Sequence, residues 1–334
     1  MKEFVKMCNK IGSMKDYVQG GGGNASCKHS ETVMAIKASG FTIGEITETD
    51  GYADVNFIKV RGYHNSAKPT EYEAREKEST PFTLTCVSEN PAGKILRPSV
   101  EAGFHSIMKK YVMHTHPVYA NVITCASVGE EKVKEILPEL DFVWIPYINP
   151  GFSLTLAIGD AISQYEMENG VFPKVIFLEN HGLVTTSDCA EECTKLHIDV
   201  NEAIKKYLNL SDFCTDLAME ETEEGFVWTS PFVKMFLEKY GVDTIRNTIL
   251  YPDQLVYLNG GLNEGKIAFD GDTMTIKAPK KEAMAIQETF AAYAYVVDSV
   301  SGCDMEIRTM DKAGTDFINN WESEKYRKSV AGQK

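Results

Sequence analysis

Short apolar runs alternate with amphipathic stretches over the first 210 residues, the pattern of strands interleaved with helices. "ETVMAIKAS" (31–39), "VNFIKV" (55–60), "VMHTH" (112–116), "FVWIPYI" (142–148) and "KVIFLE" (174–179) predict strands. "EAGFHSIMKKY" (101–111), "VGEEKVKEILPEL" (128–140, as far as Pro138) and "LTLAIGDAISQYEME" (154–168) carry helical spacing. So does the long stretch 187–210, where Ser187 stands ready to cap the N-terminus. Elements in this order imply a layered α/β domain.

Farther on, "MEETEEG" (219–225) is acidic and aperiodic, which predicts a linker. It divides the chain into a domain at 1–218 and a small α+β extension at 226–334. In the extension, "PFVKMFLEKYG" predicts a helix, "QLVYL" (254–258) a strand, and "KIAFDGDTMTIKA" (266–278) a hairpin turning at Asp270-Gly271. The apolar stretch 280–300 predicts a helix that must bury a face against something.

Charge and composition narrow the partners. A formal net charge of −14 over 334 residues argues against nucleic acid or an anionic membrane surface. No apolar run reaches the length of a membrane span, and "MKEFVKMCNKIG" lacks the apolar core of a signal peptide. The eight cysteines include no C-x-x-C pair, and Cys189 and Cys193 are at helical spacing. Reduced thiols and a cytoplasmic location are therefore expected.

Three histidines suggest chemistry. His114 and His116, one residue apart on a predicted strand, point to the same face. By itself the pair fits surface histidines at a strand end better than it fits a metal site. "VIFLENHGLVT" (175–185) leaves His181 at another strand end. Together the three imidazoles would form a site with an open position, the pattern of a catalytic zinc centre. Mn, Fe, Co and Ni accept the same ligand type.

The flanking motifs are individually ambiguous. In "GGGGNASCK" (20–28), successive glycines let backbone N–H groups converge on an anion, with Asn24 and Ser26 adding side-chain contacts. A flexible loop is the plainer alternative. "KASG" (37–40) places Ser39 and Gly40 directly after a strand. In "RPSVEAGFH" (97–105), Ser99 can cap a helix that carries Glu101 in its first turn and His105 one turn along. An acid near the positive end of a helix dipole needs no chemical role. The other possibility is a carboxylate held just ahead of the two histidines.

Taken in order, "GGGNAS", "ASG", "RPSVEAGFH", "HTHP" and "ENHGL" resemble the class II aldolase/adducin-head family. The chain is most similar to the zinc-dependent L-fuculose- and L-rhamnulose-1-phosphate aldolases and to the aldolase part of rhamnulose-1-phosphate aldolase/alcohol dehydrogenase fusions. "IPYINPGFSLTLAI" (145–158), "LYPDQLVYL" (250–258) and "WESEKYR" (321–327) also resemble those sequences.

The resemblance implies a three-layer α/β/α fold with a mostly antiparallel central sheet, and a homo-oligomer, commonly a tetramer. It implies His114, His116 and His181 as ligands of a divalent metal, zinc foremost, and Glu101 as the catalytic acid/base. A ketose 1-phosphate would be cleaved to dihydroxyacetone phosphate and an aldehyde through a metal-stabilised enediolate. The phosphate would sit among Gly23, Asn24, Ser39, Gly40 and Ser99, with His105 supporting Glu101 or the ligands.

One departure is Val100, where fuculose-phosphate aldolases have a second serine; Arg97 or Lys28 could compensate by charge. A sugar-phosphate 4-epimerase, a dehydratase, a metal-free binding protein and a non-catalytic adducin-like module are the alternatives on this fold.

Overall fold

The computed structural model describes residues 1–320, so the "WESEKYR" stretch lies outside the described residues. Eight strands form the main sheet: β1 (Asn24–Lys28), β2 (Val33–Lys37), β3 (Tyr52–Asn56), β4 (Val87–Ser88), β5 (Tyr111–Thr115), β6 (Phe142–Ile145), β7 (Val175–Leu178) and β8 (Gly182–Ser187). Their order is β4-β3-β2-β1-β5-β8-β7-β6, and β6–β7 is the parallel pair in an otherwise antiparallel sheet.

Helices α1 (Lys2–Gly12), α2 (Phe57–Asn65), α3 (Tyr72–Thr85), α4 (Ala102–Ile107), α5 (Val118–Thr124), α6 (Gly129–Ile136), α7 (Phe152–Asn169) and α8 (Ala190–Tyr207) complete this part. Both faces of the sheet are covered, and β5, β7 and β8 are accordingly buried at every position. Ala25, Met113, Phe177 and Leu183 face α1, α5 and α8. Val112, Ile176 and Val184 face α4 and α7, while Ile36 and Val55 face α2. The result is the expected α/β/α sandwich.

The remainder holds a second antiparallel sheet of β9 (Glu220–Thr222), β10 (Gly225–Thr229), β11 (Ile267–Asp270) and β12 (Thr273–Ile276), in the order β11-β12-β10-β9. Around it lie α9 (Pro231–Tyr240), α10 (Val242–Asn247), α11 (Gly260–Asn263), α12 (Lys280–Gly302) and α13 (Lys312–Asn320). Trp228, Phe236 and Phe290 from this part share one apolar cluster with Phe4, Met113 and Tyr119, so the core runs unbroken between the two sheets. The apolar α12 supplies much of that join by packing on α5.

Several local expectations are corrected. "VNFIKV" is not one strand: Asn56 ends β3 and accepts the Lys59 N–H at 3.0 Å, capping α2 from within the run. "QLVYL" lies in a π-helix, Gln254–Asn259, buried along its whole length. A short apolar run cannot by periodicity be told from a buried helix. The "MEETEEG" linker instead forms β9 and its turn into β10; its glutamates are the exposed charges that suit an edge strand.

Two capping and turn details also shift. Ser187 ends β8 and accepts the Cys189 N–H at 3.1 Å, while Cys189 takes the cap position of α8. The β11–β12 turn falls on Gly271-Asp272, since Asp270 pairs with Thr273. All eight cysteines are unpaired, and no described helix is long and apolar enough to cross a membrane.

Candidate active site

Strand register assembles the site. Asn24 opens β1 directly opposite His114 on β5, and alternation puts Ser26 on the same side of the sheet. β8 pairs with β5 from the other side, so the tight β7–β8 turn brings His181 beside Thr115 and His116. Asn180 adopts φ 52° in that turn, and a Cβ at Gly182 would lie 2.4 Å from the Thr115 carbonyl. Gly23 has φ +68°, and a Cβ there would lie 2.7 Å from the His114 carbonyl. Both close approaches need glycine.

The coordinating atoms available on His114, His116 and His181 all lie within 4.8 Å of one another, and all three side chains are buried. His114 donates its Nδ1–H to the Leu183 carbonyl at 3.1 Å, which leaves the Nε2 lone pair facing the centre. Its Nε2 lies 3.3 Å from His116 Nε2. Burial pushes the His114 pKa down to about 4, with the nearby Glu101 charge opposing the shift, so the ring is a neutral donor at pH 7.

Glu101 stands at the N-terminus of α4, 6% exposed. Its Oε2 is 3.5 Å from His114 Nε2, and its Oε1 is 3.5 Å from His181 Nε2. Oε1 is buried without a hydrogen-bond partner. A buried carboxylate oxygen in that condition is costly unless a cation or donor meets it. Three convergent imidazoles beside a carboxylate with one unpartnered oxygen are a donor set that could hold a divalent metal ion.

His105 is fully buried and held neutral, its pKa well below the usual histidine range because burial disfavours the charged form. Its Nδ1 meets Ser26 Oγ at 2.7 Å and its Nε2 meets Asn24 Oδ1. The Asn24 amide nitrogen in turn donates to Ser99 Oγ at 3.1 Å and to Glu101 Oε2 at 2.6 Å. His105 thus reaches Glu101 through Asn24. Both ends of the Asn24 amide are occupied by protein partners, an arrangement the anion role expected of it did not foresee.

A cleft of about 170 Å³ opens from Glu101, His116 and His181, and Gly23, Asn24, Ser39, Gly40 and Ser99 all line it. Ser39 N–H donates to Arg97 O at 2.8 Å and Ser99 N–H to Lys37 O at 3.1 Å, which sets the two serines side by side. Val100 lines the cleft as well. Arg97 is there to supply charge, but Lys28 is not. Its Nζ is tied to the carbonyls of His105, Met108 and Lys109 at 2.7–2.9 Å, and burial lowers its pKa to about 7.

Lys37 and Lys281 line the cleft with Arg97, and Lys15 lines it as the ion-pair partner of Glu288. Lys281, on α12, donates to Gly40 O at 2.9 Å. Sequence reasoning missed these residues, and it missed Asp253, whose Oδ2 lies 2.5 Å from His116 Nδ1. The one available signal was the "LYPDQLVYL" stretch that contains Asp253.

The model of the class II aldolase and adducin N-terminal domain matches residues 2–208. A Bacillus subtilis (strain 168) protein named uncharacterized oxidoreductase YuxG is 28% identical over 218 residues, covering 63% of this chain. The match spans only 30% of that relative's length. Among solved structures, an N-terminal class II aldolase domain from Thermoplasma acidophilum is 28% identical, with a TM-score of 0.49 over 62% of this chain and 92% of that one. The L-fuculose-1-phosphate aldolase of Thermus thermophilus is 14% identical, with a TM-score of 0.40 over 62% of this chain and 92% of that one. The family model matches well over half of the chain's length, and the chain belongs to the class II aldolase and adducin N-terminal domain family.

Proposed function

We propose that the protein is a metal-dependent lyase that cleaves a ketose 1-phosphate to dihydroxyacetone phosphate and an aldehyde. The observation that carries this reading is the buried, unpartnered Oε1 of Glu101 facing a cluster of imidazoles at the foot of a cleft lined by cations. His114, His116 and His181 would hold the metal, with zinc the leading candidate. When bound, such an ion acts as a Lewis acid on the substrate's carbonyl and hydroxyl oxygens, offsetting the negative charge that develops as the carbon–carbon bond breaks.

The protein's own groups do the rest. Glu101 moves the proton: the hydroxyl on the departing carbon loses one, and the carbon left on the dihydroxyacetone phosphate side gains one. Asn24 holds the Glu101 carboxylate by one oxygen and leaves the other directed into the site. Lys37, Arg97 and Lys281, with the Ser39, Gly40 and Ser99 segments and Gly23, form the end of the cleft suited to a phosphate. Charge here makes up for the hydroxyl that Val100 lacks. A cytoplasmic homo-oligomer remains our expectation for its working form.

The test is metal content and product release together. Purified protein and its His114→Ala variant are assayed for bound zinc, then offered L-fuculose 1-phosphate and L-rhamnulose 1-phosphate. About one ion per chain, lost in the variant, with dihydroxyacetone phosphate released by the wild type alone, is the expected result. A wild type that stays metal-free after incubation with zinc ends the lyase reading. A loaded protein that releases no dihydroxyacetone phosphate from any ketose 1-phosphate shifts the assignment to epimerase or dehydratase chemistry.

A further inference from the structure

The family domain ends at residue 208, yet the candidate metal centre continues past it. Asp253 stands between Pro252 and the Gln254–Asn259 π-helix, 6% exposed, with Oδ2 2.5 Å from His116 Nδ1. The glycine loop of the N-terminal part is shaped around this pair. A Cβ at Gly22 would lie 2.6 Å from Asp253 Oδ2 and 3.0 Å from His116 Nδ1.

Asp253 is not an isolated touch. From α12, Glu288 accepts the Gly20 N–H at 2.6 Å and pairs with Lys15 at 2.5 Å, while Lys281 reaches Gly40 O. The segment after residue 208 therefore grips both loops at the mouth of the cleft as well as one histidine at its foot.

An imidazole that coordinates through Nε2 must keep its proton on Nδ1, and a partner for that N–H fixes both tautomer and ring orientation. For His114 the partner is a carbonyl of β8, given by the sheet itself. His116 stands one residue beyond the end of β5, and its Nδ1 meets the Asp253 carboxylate instead. A carboxylate in that place also makes the ring a stronger donor.

We propose that Asp253 is a positioning residue that completes the metal centre from outside the family domain, by fixing the tautomer and orientation of His116. The inference rests on the metal-centre reading above. It makes metal affinity a property of the joined chain rather than of residues 2–208.

The test uses the full chain as wild type, Asp253→Asn and Asp253→Ala. Zinc affinity is measured by competition with a chromogenic chelator, and the visible spectrum is recorded after loading with cobalt(II). Asp253→Ala should lose roughly 10- to 100-fold in zinc affinity, and its cobalt bands should change because the His116 ring is no longer held. Asp253→Asn should fall between, since the amide oxygen still accepts the Nδ1–H. Affinities within about twofold of wild type for both variants would overturn the proposal. So would weaker binding with an unchanged cobalt spectrum, which assigns Asp253 to packing alone. If Asp253→Ala does not fold, the isosteric Asn variant decides by the same two readouts. A wild type that binds neither metal overturns the metal-centre reading and this proposal together, a result distinct from wild type and variants binding equally.

Discussion

Asn24 Nδ2 lies 2.6 Å from Glu101 Oε2, and the other end of the same amide meets His105 Nε2. The first contact holds a carboxylate, and the second is made by a buried neutral ring that must itself be held. Asn24→Ala removes both. If Asn24 orients Glu101, kcat for the proposed ketose 1-phosphate cleavage should fall by about 100-fold, with KM unchanged within about threefold. A variant that raises KM and keeps kcat would return Asn24 to the anion site. Steady-state kinetics separates the two.

Lys281 reaches into the cleft from α12 and touches Gly40 O, the loop expected to meet the phosphate. Lys281→Met keeps the length of the stem and removes the charge. KM for a phosphorylated substrate should rise by about tenfold, and inhibition by inorganic phosphate should weaken in parallel. The difference from wild type should shrink as salt is added, because the cleft mouth is open to screening. Equal KM values at low salt would remove Lys281 from the substrate site.

Gly23 combines two demands that can be separated by experiment. Its φ of +68° disfavours any side chain, and a Cβ would also meet the His114 carbonyl at 2.7 Å. Gly170, φ +72°, has nothing within 4 Å of the same atom. Gly170→Ala should therefore cost about 1 kcal/mol, the conformational part alone. Gly23→Ala should cost more, about 2–4 kcal/mol, because backbone must also move. Urea unfolding midpoints of the two variants give the difference directly. Equal losses would mean that the β1–β5 crossing has slack.

Why some of this is legible in sequence and some is not follows from where each constraint resides. His114 and His116 share a side because strand alternation is local, and Gly182 marks the turn that delivers His181. Glu101 is legible as an acid at a helix start ahead of those histidines. The role of Asn24 is hidden, since the glycines before it suggest an anion loop while the register of β1 on β5 turns its amide to Glu101. Asp253 is hidden for a different reason. Its meeting with His116 depends on the tertiary seating of a buried π-helix, and apolar pattern alone reads that segment as a strand. Lys28 was the opposite case: a cation near the motif in sequence that folding directs to the end of α4.

His197 offers a stability test in acid. It lies fully buried on α8 between Thr115 Oγ1 at 2.7 Å and Thr185 Oγ1 at 3.0 Å. Burial is the main cause that takes its pKa down to about 3, with the neighbouring His114 adding to it. In the unfolded chain a histidine titrates near 6.5. Between about pH 6.5 and 3 the unfolded state therefore binds a proton that the folded state refuses, so stability is lost as pH falls through that window. The loss approaches about 1.4 kcal/mol per pH unit for this one group. His114 and His105 have the same sign, so the wild type should lose stability steeply in acid. His197→Gln keeps hydrogen-bonding capacity and removes one titrating site. In urea titrations at pH 6.0, 5.0 and 4.5 with chelator present, its stability should fall less steeply than that of the wild type by about one proton's worth. An identical slope would mean that His197 takes up its proton in the folded state as readily as in the unfolded chain.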